Sequence, residues 1–341
     1  MAGLFEVNAL ELRECLIEDI KVGLVPMVAS SPGMGKSDIV RSVAEQYKLK
    51  VFDMRMSQCE PVDMQGYPDS KEGRMTFNVP EYFPLETDPI PDGYDGWLLF
   101  LDEFNSGHKQ TEAAAYKLIL DRAVYIHKLH PRCMIICAGN LTTDRAIVNT
   151  ASTATTSRLT HYRLYVDHKV WIDWANENNI DHRIISMVKF KPSILHNFNP
   201  DTSELTFSCP RTLAFASKII LGRQIDRLTK IRLAGTIGEG AAVELATYCE
   251  IYHNLPNIDQ ILADPKSGWK VPTEPSEQYA VTTLLSHNIN EANIDKLIVA
   301  IERLPMEMQV VTFKDIYKRA PELKGTPQIL DWISRNAATM F

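Results

Sequence analysis

Residues 30–38, SSPGMGKSD, follow an apolar run at 22–28 and precede a helical pattern through Ile39, Val40, Val43 and Ala44. A strand, a glycine-containing turn and a helix in that order put a helix N-terminus, with its free N–H groups, beside the carboxyl end of a strand. Gly33 and Gly35 let the backbone turn sharply within the loop Ser31, Pro32, Gly33, Met34, Gly35, Lys36, Ser37 and Asp38, so its amides can approach phosphate oxygens closely. Lys36 supplies a point charge for β- and γ-phosphates, and the Ser37 hydroxyl is suited to ligate Mg²⁺. The spacing G-x-x-x-x-G-K-S/T is met except at its first position, where Ser30 stands; serine is small enough to be accommodated there. The plain alternative is an ordinary glycine-rich turn. Agreement of context as well as letters favours a phosphate loop.

A second stretch narrows the chemistry. WLLFLDEFN, at 97–105, opens with five consecutive apolar residues, the pattern of a strand buried on both faces of a parallel sheet. It ends in Asp102 and Glu103, at the edge where ligands of open α/β sheets bind. Two adjacent carboxylates at the tip of an apolar strand are costly unless solvated or engaged with cations, and Ser37 already implies a cation. Asp102 then fits as a direct or indirect Mg²⁺ carboxylate, and Glu103 as the group that orients and polarises an attacking water. A third apolar run, CMIICAGN at 133–140, ends in Asn140, whose amide can hydrogen-bond a γ-phosphate or the lytic water; a turn cap is the alternative.

Composition excludes several classes. With 341 residues, 45% hydrophobic and 23% charged, the chain can bury one large or two ordinary cores. Lys plus Arg 36 against Asp plus Glu 43 gives −7, the opposite of the basic excess of a dedicated nucleic-acid binder. The sequence contains no run of about eighteen apolar residues and begins with an acidic stretch, so no membrane association and a cytoplasmic location are expected. The six cysteines form no C-x-x-C pair and read as small apolar residues.

Along the chain, residues 4–21 carry an amphipathic helical pattern, and 50–56 read as a second strand. Residues 57–86 form a long insertion rich in Pro, Gly and charge, with a short alternating piece at 74–79. A helix at 111–120 and a hairpin over DRAVYIHKLHP follow. Residues 149–159 are rich in Ser and Thr and close with Arg158, and HYRLYVD then completes a five-strand α/β unit. From residue 167 helical periodicity dominates, at 170–176, 184–190, 212–221, 241–251 and 291–304. CPRT places Pro ahead of Arg211 at a helix start and so points a cation from a second domain. The expected organisation is a nucleotide-binding core at 1–166, a helical lid at 167–255 and a C-terminal helical extension at 256–341.

The loop SSPGMGKS, the strands LLFLDE and CMIICAGN, and the arginines of TSRL and CPRT together resemble an AAA+ ATPase, most closely the MoxR-like group. CEPVDMQGYP is similar to that group's P-x-D-x-x-G element. The resemblance covers about 22–221. It implies an AAA+ core with a parallel five-stranded sheet and an α-helical lid. It also implies ATP and Mg²⁺ as cofactors, Walker A residues at Gly33, Gly35, Lys36 and Ser37, and Walker B residues at Asp102 and Glu103. Asn140 takes the place of sensor 1, Arg158 of an arginine finger and Arg211 of sensor 2, with Arg163 a local rival of Arg158. Leu159 departs from the aromatic common after the finger. A homo-oligomeric ring, a hexamer in that family's form, acting as a chaperone-like remodelling ATPase with a von Willebrand factor A domain partner is the implied function. A nucleic-acid motor or loader of the same fold is the alternative, for which Tyr125, His127, Lys128 and His130 make only a thin basic, aromatic hairpin. A non-hydrolysing nucleotide-gated scaffold is disfavoured by Glu103.

Overall fold

The computed structural model describes residues 5–141, 156–201, 204–253 and 255–340. The chain forms two compact units, Met1–Asp167 with Phe198–Thr202, and His168–Asn197 with Ser203–Phe341. The first unit runs β1 (Glu6–Val7), α1 (Ala9–Lys21), β2 (Pro26–Ser30), α2 (Lys36–Gln46), β3 (Leu49–Arg55), α3 (Pro61–Gln65), β4 (Tyr67–Lys71), β5 (Arg74–Asn78), β6 (Gly96–Asp102), α4 (Lys109–Leu120), β7 (Ala123–Val124), β8 (His127–Lys128), β9 (Cys133–Asn140) and β10 (Thr160–Leu164).

Strands β1, β10, β2, β9, β6 and β3 lie in that order in one sheet, every pair parallel. Alternation decides which side chain faces which layer. Leu98, Phe100, Ile136, Ala138 and Val28 pack with Leu12 and Leu16 of α1 and Val40 and Val43 of α2. Leu99, Leu101, Ile135, Cys137 and Met27 pack with Ala115 and Leu118 of α4 on the opposite face. Leu98 through Leu101 are each 0% exposed, which explains the unbroken apolar run. Each such side chain contributes about 1.5–3 kcal/mol on burial.

The sheet has six strands where the sequence suggested five. The addition, β1, is a two-residue edge strand, too short for a periodic signal, and it falls inside the expected helix at 4–21. That helix starts at Ala9 because Asn8 caps it: its side chain accepts from the Leu10 and Glu11 amides, and the Glu11 carboxylate accepts from the Asn8 N–H. The apolar run 22–28 is strand only from Pro26, since the amides of Val22, Gly23 and Leu24 turn back onto the carbonyls of Asp19 and Ile20. The insertion after β3 is ordered rather than irregular: α3 ends at Gly66, and β4 and β5 form an antiparallel hairpin whose first strand is exposed at every position. Polar alternation without an apolar face is why only half of it is legible in the sequence.

Among the described residues of the second unit the α-helices are α5 (His168–Glu177), α6 (His182–Phe190), α7 (Pro210–Ile220), α8 (Arg227–Ile237), α9 (Glu239–His253), α10 (Ile258–Ala263), α11 (Pro275–Asn288), α12 (Ile294–Ile301), α13 (Met306–Arg319) and α14 (Pro327–Met340), with no strand. Its apolar core includes Ile261, Leu285, Leu297, Ile301, Phe313 and Trp332, the last two stacked at 3.9 Å. Beside this core, α6, α9, α11 and α13 meet through polar groups. Lys189 pairs with Asp315, Ser186 Oγ lies 2.6 Å from the Tyr248 hydroxyl, and the ring of His182 stands 5.4 Å from that of His287. No described helix is long and apolar enough to cross a membrane.

Candidate functional site

The loop between β2 and α2 turns through Gly33 (φ 77°) and Gly35 (φ 86°, ψ 16°), the latter capping α2. A Cβ on Gly35 would meet nothing within 4 Å, so the left-handed conformation, and not crowding, demands glycine. Lys36 Nζ donates to the Ser30 carbonyl (3.0 Å), the Ser30 hydroxyl (2.9 Å) and Asn140 Oδ1 (3.3 Å). Ser30 is fully buried and its hydroxyl also donates to the Ser31 carbonyl. The serine that breaks the consensus therefore supplies an acceptor that a glycine would lack, and it anchors the lysine amine.

Parallel pairing aligns Ser30 of β2 with Asn140 of β9, and β9 lies between β2 and β6. That order places Asn140 next to the loop, with the acidic tip of β6 one strand further on. Ser37 Oγ donates to Asp102 Oδ2 at 3.2 Å, and the Glu103 amide donates to Asp102 Oδ1 at 2.8 Å. Glu103 is left-handed (φ 54°, ψ 34°), an uncommon state for a side-chain-bearing residue and one that turns the chain just past the strand. The Ser57 hydroxyl donates to its carboxylate.

Two residues absent from the sequence-derived set shape the site. Ser57 follows β3, whose Arg55 is in register with Asp102, so two residues further it reaches Glu103. Asn105, inside the quoted stretch 97–105, brackets the Asn140 backbone: its Nδ2 donates to the Asn140 carbonyl (2.7 Å) and its Oδ1 accepts from the Asn140 N–H (3.1 Å). The preceding Gly139 has no room for a side chain, since a Cβ would sit 2.3 Å from Asn105 Oδ1. A signal for Ser57 exists only once β3 is known to neighbour β6.

The arginines are less concentrated. Arg158 is exposed and lies just before β10, its guanidinium 6.0 Å from the Tyr116 ring of α4. In the sheet β10 lies between β1 and β2, so Arg158 precedes an inner strand. Arg163 pairs with Glu6 at 3.1 Å across β1 and β10. Arg211 is exposed in the first turn of α7, within the second unit. The Ser/Thr-rich stretch lies outside the described residues over 149–155. The expected hairpin forms from β7 and β8 around Tyr125 and Ile126, 40% and 72% exposed, and Tyr125 packs on Phe77 of the other hairpin at 4.1 Å.

No protein-family model matches the chain, and no curated protein matches its sequence. Among solved structures it is similar to a candidate ATPase of Cytophaga hutchinsonii, with 13% identity over 95% of this chain and 88% of that one and a TM-score of 0.36. It is also similar to a point variant of Thermotoga maritima RuvB, with 13% identity over 97% and 85% and a TM-score of 0.34.

Proposed function

We propose that the chain is an AAA+-type ATPase of the MoxR-like group that hydrolyses ATP in a homo-oligomeric ring and remodels a protein partner. The observation that carries this reading is the convergence of Lys36, the Ser37–Asp102 pair, Glu103 and Asn140 at the carboxyl edge of three neighbouring strands. The donor set suits ATP with Mg²⁺. The turn at Gly33 and Gly35 and the start of α2 offer amides and a positive helix end to phosphates, Lys36 adds a mobile cation, and a serine hydroxyl beside a carboxylate is a hard-oxygen pair fit for Mg²⁺. Bound there, Mg²⁺ would neutralise charge on the phosphate oxygens.

Within this reading Ser31, Pro32, Met34 and Asp38 frame the loop, and Lys36 leaves its acceptors on Ser30 and Asn140 to meet phosphate. Glu103 holds the attacking water, and Asn140 orients it. Arg158 acts on a neighbouring copy's nucleotide and Arg211 reports nucleotide state from the helical unit. The element CEPVDMQGYP favours the MoxR-like assignment and, through it, a von Willebrand factor A domain partner. The exposed hairpins around Met75 and Ile126 are the surfaces offered to such a client. A fluorescent-nucleotide titration tests the core of this: Lys36→Ala should lose binding, and near-native affinity would overturn the reading. Glu103→Gln should bind yet not turn over, and affinity capture with that variant in ATP identifies the partner.

A further inference from the structure

Helix α8 carries apolar residues on both sides. Leu233 and Ile237, at 0% exposure, face the interior of the second unit, while Leu228 (64%) and Ile231 (56%) lie on the outer side with Gly235. Positions 228, 231 and 235 make one stripe at helical spacing. Gly235 costs a helix interior about 1 kcal/mol relative to alanine, yet a Cβ there would meet nothing within 4 Å, so no packing inside the chain requires the glycine. An exposed flat spot beside two exposed aliphatic side chains permits close approach by another backbone. The helix contains no acidic residue; Arg227, Lys230 and Arg232 flank the stripe, all exposed, with Lys230 paired to Glu250 of α9 at 2.9 Å.

A surface of opposite character lies on the first unit. Along α1, Leu10, Glu14, Glu18 and Val22, at the C-cap, fall at four-residue steps on one exposed line, with Glu11 beside it and Leu24 just beyond. Leu10 is 57% and Val22 70% exposed, so the line has an acidic centre and apolar ends. Glu18 is tied to Lys21 at 2.7 Å, while Glu14 forms no ion pair among the described residues.

We infer that α8 of one copy docks on α1 of a second copy of this chain. Two α8 faces cannot meet, because the arginines would oppose one another, and two α1 faces would oppose glutamates; only the α8-to-α1 pairing brings unlike charges together around apolar contacts. Different patches joined in this way make a heterologous interface, which propagates into a ring or a helix. The inference deepens the ring proposed above and rests on that association, though not on hydrolysis.

Charge reversal tests it, since every substituted side chain is exposed. Arg227→Glu with Arg232→Glu forms one variant, Glu14→Lys with Glu18→Lys a second. Each alone should raise the apparent dissociation constant for self-association at least tenfold in sedimentation velocity with a non-hydrolysable ATP analogue. Mixed in equal amounts, the two should assemble again, because each supplies the face that complements the other's. Native-like assembly of either variant alone, or no recovery on mixing, overturns the α8–α1 pairing and leaves the ring to another surface. A native chain that binds nucleotide but stays monomeric overturns both the pairing and the ring. Loss of nucleotide binding in the native chain overturns the ATPase reading without touching the pairing, which then stands on the assembly result alone.

Discussion

The Ser57 hydroxyl, just past β3, donates a hydrogen bond to the Glu103 carboxylate, just past β6. The two residues are 46 apart in sequence and come together because Arg55 and Asp102 are paired across the sheet. Glu103 leaves its strand in a left-handed conformation, so its backbone alone does not fix where the carboxylate points. Ser57 supplies that restraint from a neighbouring strand.

Removing the restraint should weaken catalysis without weakening binding. Ser57→Ala is expected to lower kcat by about tenfold with KM unchanged, a fraction of the 10²–10⁴ available to a general base. Ser57→Thr, which keeps the hydroxyl, should recover most of the rate. A shift in KM with kcat intact would show that Ser57 serves substrate binding instead.

The Asn105 bracket predicts a stability effect that reaches the site. Asn105→Ala leaves the Asn140 N–H and C=O without their partner, at a cost of about 1–3 kcal/mol, read as a lower midpoint in urea unfolding. Gly139→Ala should cost as much or more, because its Cβ would also lie 2.7 Å from Met27 Cε. Either variant unfolding at the native midpoint would remove the bracket from the account.

Arg158, packed near Tyr116 and exposed, is expected to act between subunits. Arg158→Ala and Lys36→Ala should each be inactive alone, the first by about 10³-fold. Mixed assemblies pair an intact phosphate loop with an intact arginine, so partial ATPase activity should return. Full activity of Arg158→Ala by itself would transfer the role elsewhere.

The helical unit should lose stability in mild acid. Burial pushes His287 down to about 3 from an ordinary 6.5, with Arg319, His182 and Lys189 adding to the shift. The groups acting on it are Arg319 from α13 and His182 and Lys189 from α6, with Asp181 as the opposing charge; Tyr252 of α9 packs on the His182 ring and Asp315 of α13 pairs with Lys189. Because the folded value lies below the unfolded one, the unfolded chain binds the extra proton. Stability is therefore full above pH 6.5 and falls as the pH drops from 6.5 towards 3, by up to about 1.4 kcal/mol per unit. Tryptophan-detected urea unfolding at pH 7.5 and 5 measures this, since four of the five tryptophans lie in this unit. His287→Gln should flatten the dependence, and an unchanged slope would assign it to other groups.

The sequence by itself determined the elements whose signals are local. A glycine that must adopt positive φ, a strand buried on both faces and a helix at 3.6 periodicity each leave a mark within about ten residues. Lys36, Ser37, Asp102, Glu103 and Asn140 were legible because each sits at the end of such an element. Only the tertiary structure decided what depends on strand order: that β9 lies between β2 and β6, that Ser57 reaches Glu103, and that Asn105 brackets Asn140. The same is true of Ser30, a departure from consensus in the sequence but the residue that holds the lysine amine in the fold. The edge strand β1 and the polar hairpin strand β4 left no mark because neither buries a periodic apolar face. Sheet register is a long-range outcome of packing two apolar layers against alternating side chains, and no short stretch of sequence encodes which strand will be its neighbour.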